Sequence, residues 1–312
     1  MKHSFVRQVI FPLLAAFIWG TAFVAQSLCA RALPPFAVNA LRSMLGVAVL
    51  TPVSMGLDAL KKRAGTYEKT DWKRLAAGAL VCGLFLSVGV NLQQAGLADT
   101  SAGKAGFITA FYVVLVPVFG VFLKKPCSLR IWISIALVAV GLWLLCIRAG
   151  ERLALERGDL FLMVCAVFYA LQVLAVDHYA QLVDGVKLSI GQFAVTGLVS
   201  AVLSVCFERD AWSMEGLRSC IWPLLYIGVM SSGIAYTLQI LSQKGSNPTL
   251  VSVLFSLESV FSVLAGAAVL HDRLSGREYL GCLVMFCAVV LAQLPLENLL
   301  KNLHAPWALH HK

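Results

Sequence analysis

The chain has 312 residues, of which 59% are hydrophobic and only 13% are charged, and its formal net charge is +9 at pH 7. A soluble fold of this size cannot bury so much apolar surface, and the same composition excludes a disordered chain. The positive charge does not indicate a nucleic-acid partner, because the basic residues stand in short clusters between apolar runs, as in the loops of membrane proteins.

Ten apolar stretches each approach the roughly 20 residues that a helix needs to cross a bilayer. The first is uncharged from Gln8 to Ala30, which is longer than the apolar core of about 7–15 residues in a cleaved signal peptide. We therefore interpret it as a retained first span. The ten predicted spans are residues 9–30, 35–56, 74–95, 100–123, 129–147, 158–178, 187–207, 217–241, 247–270 and 277–295.

The connections between these spans are short, and the longest, near residues 57–73, is rich in Lys and Arg. With the N-terminus inside, most basic loop residues lie on the cytoplasmic side, as the positive-inside rule requires. We therefore predict a multi-pass protein of the cytoplasmic membrane with both termini in the cytoplasm. Nearly all of the bias comes from the first half and it reverses after Arg148, as expected of two related halves with an odd number of spans each.

The two halves of the sequence are related. Residues 100–128 and 247–275 both run from a polar start through a long apolar helix to a charged end, and Trp19 and Tyr169 take matching positions. Because five spans per half is an odd number, the halves must be inverted, an arrangement that recurs in secondary transporters. The predicted fold is an all-α integral membrane protein with ten transmembrane helices in two inverted five-helix repeats, residues 1–150 and 151–296, followed by a short cytoplasmic tail, residues 297–312.

Three segments resemble one transporter family. Residues 19–26 (WGTAFVAQ) are similar to the first helix of the drug/metabolite transporter superfamily, in its EamA-type ten-span branch, and residues 100–107 (TSAGKAGF) to the start of its fourth span. Residues 257–261 (LESVF) and 272–275 (DRLS) resemble the ninth-span signature LEPVF…ERLS, although Ser259 replaces the proline. The resemblance implies an exporter of amino acids, metabolites or drugs that is proton-coupled or facilitative, and it does not imply one substrate.

Glu258 is the most informative polar residue, because it falls near the middle of the ninth span. A glutamate is too short to reach the membrane surface from there, and a low dielectric disfavours its charge. We predict that Glu258 binds and releases a coupling proton or holds a substrate amine. The alternative is a neutral or paired Glu that only ties helices together.

Arg42 is expected about a third of the way into the second span. Its guanidinium could hold a substrate carboxylate through two parallel hydrogen bonds. The alternatives are a side chain that extends to the membrane interface and an ion pair with Glu258. Lys104, a few residues into the fourth span, is expected to extend outward.

Amide and aromatic side chains within the spans are further candidates. The amides are expected to line a cavity or to tie helices together, with Asn91 and Gln94 on one face of the third span and Gln93 pointing elsewhere. Aromatic side chains near mid-span are candidates for the cavity wall. The predicted substrate-binding residues are Trp19, Arg42, Asn91, Gln94, Tyr112, Tyr169, Gln192, Tyr236 and Gln239.

The sequence contains no phosphate-binding loop, metalloprotease motif or nucleophile elbow, and no Cys/His spacing that indicates a metal or a cofactor. The nine cysteines fall mostly in apolar runs and are interpreted as small buried hydrophobes. The leading hypothesis is a secondary transporter of a small molecule that works by alternating access in membrane lipid, as a monomer or homodimer. The alternatives are a non-transporting scaffold or receptor on the same fold, a channel, and a membrane enzyme that acts on lipid.

Overall fold

The computed structural model describes residues 5–99, 102–124, 127–147, 157–211, 213–270 and 275–293. This part of the chain forms helices joined by turns and contains no β-strand. Ten helical spans, α1 to α10, follow one another. Their bounds are Val6–Ala30 (α1), Pro35–Arg63 (α2), Trp72–Asp99 (α3), Ala102–Ala110 and Tyr112–Phe122 (α4), Leu129–Cys146 (α5), Arg157–Tyr179 (α6), Gly185–Phe207 (α7), Ile221–Gln243 (α8), Pro248–Phe255 and Leu257–Leu270 (α9), and Gly276–Gln293 (α10).

Each predicted span corresponds to one of these helices. Within the described ranges, nine helices are long and apolar enough to cross a membrane, and α5 has a shorter apolar stretch, Leu129–Leu145. The chain is therefore a multi-pass membrane protein, as predicted. The helix α2 continues to Arg63, beyond the predicted end at residue 56, because its last residues include the good helix formers Leu, Ala, Lys and Arg. The predicted tail, residues 297–312, and the side chain of Lys104 lie outside the described part.

The helices pack in the pairs that a two-fold relation between the halves requires. The helix α3 packs against α6, and their counterparts α8 and α1 also pack together. The contact of α4 with α6 is repeated by α9 with α1, and each of α2 and α5 packs against its own counterpart, α7 or α10. Because each half holds five spans, counterpart helices run in opposite directions, so the predicted inverted-repeat fold is confirmed.

Two ion pairs join α2 to α7 at one face of the protein. We call this the proximal face, where α1 begins and α2 ends, and the opposite one the distal face, where α1 ends and α2 begins. At the proximal face, Lys61 Nζ lies 2.7 Å from Asp184 Oδ2, and Lys187 Nζ lies 2.8 Å from Asp58 Oδ2. Asp184 also caps α7, because its Oδ1 accepts two backbone N–H groups of the first turn.

A buried carboxylate joins the same two helices at the distal face. Glu208, which directly follows α7, accepts the backbone N–H groups of Phe36 and Ala37 at 2.9 Å each. The first turn of a helix has unsatisfied N–H groups and a partial positive charge, so Glu208 stabilises the start of α2. An acidic side chain thus holds the α2–α7 pair at each face, Asp184 at one and Glu208 at the other.

The helices α4 and α9 are interrupted at related positions, Phe111 and Ser256. At each point an amide three residues later bonds to the carbonyl of the interrupting residue, which tightens the turn. In α4 the interruption lies six residues before Pro117, and Pro117 itself stands inside the second part of the helix. In α9 the Ser256 hydroxyl donates to the Val253 carbonyl at 2.6 Å and so competes with the backbone. This break directly precedes Glu258.

The helix α8 contains a π-helical segment, Ile227–Ala235. Such segments are uncommon and are found frequently at functional sites. Here the wider turn brings Ser232 to α2, where its hydroxyl accepts a hydrogen bond from Arg42. The irregular part of α8 therefore positions a charged residue that the sequence analysis singled out.

Candidate functional site

A cavity lies at mid-depth between the two halves. It has about 510 Å³ of empty space, part of it continuous with the surroundings. The enclosed part is small, so this conformation accommodates a few waters or a small solute. Seven of the predicted residues line the cavity: Trp19, Arg42, Tyr112, Tyr169, Tyr236, Gln239 and Glu258.

Arg42 lies inside the protein rather than at the membrane interface, since only 3% of its surface is exposed. Its Nε donates to Ser232 Oγ at 3.1 Å and its Nη1 donates to Gln26 Oε1 at 3.2 Å. Both partners are neutral, and no carboxylate in the described part forms an ion pair with it. A buried charge without a counter-charge is costly, so the guanidinium is suited to bind an anionic group that enters the cavity.

Glu258 is the second residue of the second part of α9 and is 7% exposed. No residue in the described ranges forms an ion pair or a hydrogen bond with its carboxyl group. The ion pair with Arg42 that the sequence left open is not formed, because the two side chains meet the cavity from different helices without reaching each other. The cavity therefore contains one basic and one acidic group, and neither has a partner of opposite charge among the residues that the structure describes.

A close helix contact fixes the position of Glu258. Gly20 of α1 packs against α9, and a Cβ at that position would lie 2.6 Å from the Glu258 carbonyl oxygen and 2.5 Å from the Phe261 Cβ. Only glycine allows the backbones to approach so closely, as in other tightly packed membrane helices. Trp19 directly precedes Gly20 and also lines the cavity. This contact therefore determines the positions of both Glu258 and the Trp19 ring.

Aromatic rings form most of the remaining wall. The Trp19 ring packs edge-on against Tyr236 and Phe255, with centroids 4.8 and 5.1 Å apart. The rings of Tyr112 and Tyr169 are 6.2 Å apart. The Tyr169 hydroxyl donates to Gln93 Oε1 at 2.9 Å. These aromatics come from α1, α4, α6, α8 and α9, so both halves contribute to the wall.

The amides of α3 take different positions from those predicted. Gln93, which was expected to point elsewhere, lines the cavity, whereas Gln94 and Asn91 do not. The Asn91 side chain instead bonds to Asn39 at 3.0 Å and to Ser200 at 2.9 Å and ties three helices together. The side-chain amide of Gln94 is buried without a hydrogen-bond partner in the described part. The choice between Gln93 and Gln94 is sensitive to the rotation of the helix, because the side chains of successive residues point about 100° apart around the helix axis.

A row of amides closes the cavity toward the proximal face. Gln172 Nε2 donates to Gln192 Oε1 at 3.2 Å, and Gln239 Nε2 donates to Gln172 Oε1 at 3.0 Å. One turn further, Gln243 Nε2 donates to the Val173 carbonyl at 2.8 Å. Gln192 thus contacts the cavity only through Gln172 and is not part of its wall. The row joins α6 and α7 to α8 with neutral hydrogen bonds that a conformational change can break.

Three polar atoms of lining residues lack partners within the described ranges. The indole N–H of Trp19, the hydroxyl of Thr109 and the Oε1 atom of Gln239 are buried and make no hydrogen bond there. A buried donor or acceptor without a partner costs about 1–3 kcal/mol, so all three atoms favour a polar ligand or water in the cavity. They supply a donor, a hydroxyl that can donate or accept, and an acceptor, in addition to Arg42 and Glu258.

Eight lining residues were not predicted from the sequence. A usable signal was present, because Phe23 and Gln26 follow Trp19 by four and seven residues, the spacing of one helical face. Gln172 and Val173 follow Tyr169 by three and four residues in the same way. The eight residues are Phe23, Gln26, Gln93, Thr109, Gln172, Val173, Ser231 and Phe255.

Comparison with known proteins identifies the family. The profile of the EamA-like transporter family matches residues 7–147 and again residues 156–294, once in each half. The chain belongs to the EamA-like transporter family. Within the described part, no group of three or more His, Cys, Asp or Glu residues could hold a metal ion. This EamA-like protein is therefore a membrane transporter that acts on a small molecule in a lipid environment.

Named relatives agree with this assignment. An uncharacterized transporter of Archaeoglobus fulgidus is 28% identical over 282 residues, which are 90% of this chain and 84% of the relative. The uncharacterized transporter YoaV of Bacillus subtilis is 22% identical over 280 residues, or 88% and 92% of the two chains. A solved crystal structure shares the fold with a TM-score of 0.73 at 22% identity and covers 94% of this chain and 98% of that one.

Proposed function

We propose that this EamA-like protein is a secondary transporter that exports a small zwitterionic metabolite, such as an amino acid, across the cytoplasmic membrane. The observation that carries the proposal is that Arg42 and Glu258 line one cavity and that neither pairs with an opposite charge within the described ranges. In the proposed orientation the proximal face, with both termini, is cytoplasmic. The basic segment that ends α2 and the loop after it then lie on the side that the positive-inside rule requires.

A zwitterion suits the two charges of the cavity. The planar guanidinium of Arg42 can bind a carboxylate through two parallel N–H groups, which a lysine cannot do. The Glu258 carboxylate can accept hydrogen bonds from an ammonium group. The aromatic rings of Trp19 and Tyr236 add apolar area and a π face for a side chain or a cation. The limited free volume favours a solute of amino-acid size over a drug-sized one.

Glu258 also offers a route for proton coupling. With the cavity empty, its carboxylate has no counter-charge in the described part, and burying such a charge is costly. Either a proton or the ammonium group of the solute removes this cost. Proton and solute would therefore compete for one group, which is a simple way to couple their movements in opposite directions.

Alternating access would use the contacts between the halves. On the proximal side, the ion pairs Lys61–Asp184 and Lys187–Asp58 join the two halves, and the amide row at Gln172, within the second half, closes the cavity. The cavity extends the other way to Gln26, about one turn from the distal end of α1. We interpret this arrangement as a conformation closed toward the cytoplasm. Opening it would require the Gln172 bonds to break while distal contacts form.

The main rival is a scaffold or receptor that kept the fold and lost transport. Such a protein is expected to have a dry, apolar core around Glu258. The described cavity has one acid and one base that do not pair within the described residues, and three unpartnered polar atoms, and it favours a carrier instead. An enzyme that acts on lipid would need a nucleophile and a base at the interface, and no observation favours it.

Flux in proteoliposomes tests the proposal. The purified protein is reconstituted, the vesicles are loaded with single amino acids or amines, and efflux is compared with that of protein-free vesicles. We expect faster efflux of at least one zwitterion, and slower efflux when Arg42 is replaced by alanine. Efflux equal to that of protein-free vesicles for every solute, with no thermal stabilisation by any of them, would contradict the proposal.

A further inference from the structure

Cys29 and Cys220 lie side by side at the distal end of the contact between α1 and α8. Cys29 is the last residue but one of α1, and Cys220 directly precedes α8. Both are buried in one apolar cluster, close enough for the two thiols to interact, and the Cys220 thiol also donates to the Leu217 carbonyl at 3.8 Å. The pair joins the two halves of the chain, since one cysteine comes from each.

The backbone around Cys29 is fixed. Its carbonyl accepts the N–H groups of Ala32 and Leu33 at 3.0 and 2.9 Å, which ends α1 in a tight turn. The Ala32 carbonyl of that turn lies directly against Gly216, where any Cβ would overlap with it. Gly216 belongs to the short helix Met214–Ser219, which leads into α8.

The backbone around Cys220 is also held in place by hydrogen bonds. Its N–H donates to the Gly216 carbonyl at 3.2 Å and its carbonyl accepts the Leu224 N–H at 2.8 Å. Deeper in the membrane, the hydroxyls of Thr21 and Tyr226 are 2.6 Å apart and connect the same two helices. Packed backbone on both sides therefore keeps the two thiols close together. Their proximity is not a chance contact between flexible side chains.

We propose that Cys29 and Cys220 form a disulfide bond that fastens the distal ends of α1 and α8. Disulfides persist on the oxidising side of a membrane, and the distal face is that side in the orientation given under the proposed function. The bond forms by exchange with an oxidising protein disulfide. One thiolate attacks it to give a mixed disulfide, the second cysteine displaces the partner sulfur, and the two electrons leave as a reduced dithiol while the cysteines lose two protons.

Because the pair is buried, the exchange with the oxidising disulfide must take place during folding. Neither thiol is accessible in the packed protein, so oxidation accompanies the packing of α1 on α8. Once formed, the bond is shielded from reductants and closes a long loop through both halves. Closure of a long loop stabilises the folded state, chiefly by restricting the unfolded chain.

Mass spectrometry of the native protein tests this proposal. Membranes are dissolved in denaturant with N-ethylmaleimide so that every free thiol is blocked, and the chain is digested without reductant. We expect a peptide that links Cys29 to Cys220 and disappears after reduction. Recovery of both residues as separate maleimide adducts would overturn the proposal. The readout does not depend on transport, so it distinguishes a failure of this inference from a failure of the proposed function.

Thermal stability provides a second readout. Reductant present throughout the melt, which reaches the bond once the fold opens, should lower the melting temperature of the native protein by several degrees, because the restriction of the unfolded chain is lost. It should have no effect on the Cys29→Ala/Cys220→Ala variant. The matched control is Cys206→Ala/Cys287→Ala, which removes two exposed thiols and should keep the full response to reductant. An equal response in both double variants would overturn the proposal.

Discussion

Arg42 and Glu258 line the same cavity but do not pair with each other. Arg42 is held by the neutral side chains of Ser232 and Gln26, and Glu258 has no partner in the described part of the chain. Oppositely charged groups buried in one protein usually neutralise each other, because an unpaired buried charge is costly. Their separation leaves both charges available to a solute.

Replacing Arg42 by lysine should raise the KM for a zwitterion by about 10- to 100-fold. Lysine keeps the charge but loses the two parallel hydrogen bonds, and hydrogen bonds to charged groups contribute about 1.5–3 kcal/mol. The measurement is solute efflux from proteoliposomes as a function of concentration. The control is Ser232→Ala, which removes one support of the guanidinium but no charge, and should have a smaller effect. A KM for Arg42→Lys equal to that of the wild type would contradict the assignment of Arg42 to the carboxylate.

Glu258→Gln should remove the pH dependence of efflux, because the amide can neither bind nor release a proton in the relevant range. Efflux is measured in vesicles at a series of pH values, with and without a proton gradient. Glu215→Gln is the matched control, since Glu215 is exposed on the short distal helix and its loss should leave the response intact. An unchanged pH response in Glu258→Gln would refute the proton-binding role.

Gly20→Ala should destabilise the protein and slow transport. The added Cβ would lie 2.5 Å from the Phe261 Cβ and 2.6 Å from the Glu258 carbonyl oxygen, so α1 and α9 must move apart. Overpacking of this kind costs about 1–3 kcal/mol, and here it also displaces Glu258. The melting temperature and the efflux rate are measured together.

A second glycine provides the control for this variant. Gly56 in α2 has nothing within 4 Å of the Cβ position, so Gly56→Ala should leave transport unchanged. It should slightly raise stability, since alanine favours a helix by about 0.8–1.0 kcal/mol over glycine. Equal melting temperatures for the two variants would show that the α1–α9 contact is less tight than described.

Asp184→Ala should lower the free energy of unfolding by about 1 kcal/mol, because it removes the cap of α7. Asparagine also caps helices, so Asp184→Asn should lose only the ion pair with Lys61. Burial raises the pKa of Asp184, but the hydrogen bond from Lys61 and the backbone amides of Lys187 and Val186 outweigh it, so its pKa lies below 3.8.

The sign of this pKa shift fixes the pH dependence. A carboxylate whose pKa is lower in the folded state stabilises the fold above its unfolded pKa, and the contribution is lost as the pH falls through the folded pKa. The stability difference between wild type and Asp184→Asn should therefore be constant near neutral pH and vanish below pH 3.8. Denaturant unfolding at several pH values measures it. A difference that increased in acid would contradict the ion pair.

The sequence predicted the fold well because its signals are local and strong. Uninterrupted apolar runs define spans, and an odd number of spans per half requires inversion. Residues near the middle of their spans, such as Trp19, Tyr169 and Glu258, were placed at the right depth for the same reason. Depth along a helix can be counted from its ends, and these three residues do line the cavity.

Rotation about each helix axis was harder to predict. Gln93 and Gln94 are adjacent in sequence but face different surroundings, and only the packing of α3 against α6 decides which of them meets Tyr169. The break at Ser256 could not be foreseen either, because the proline expected nearby is replaced by Ser259. Instead, the Ser256 hydroxyl produces the break, because it donates a hydrogen bond to the Val253 carbonyl. Helix packing, and not composition, determines these features.

The most direct test of the central claim is equilibrium binding of a transported zwitterion and two neutralised analogues. One analogue carries an amide in place of the carboxylate, and the other has an acetylated amine. We predict that the wild type discriminates against both, that Arg42→Ala no longer discriminates against the amide, and that Glu258→Gln no longer discriminates against the acetylated form. If both variants kept the discrimination of the wild type, the solute would not lie between Arg42 and Glu258.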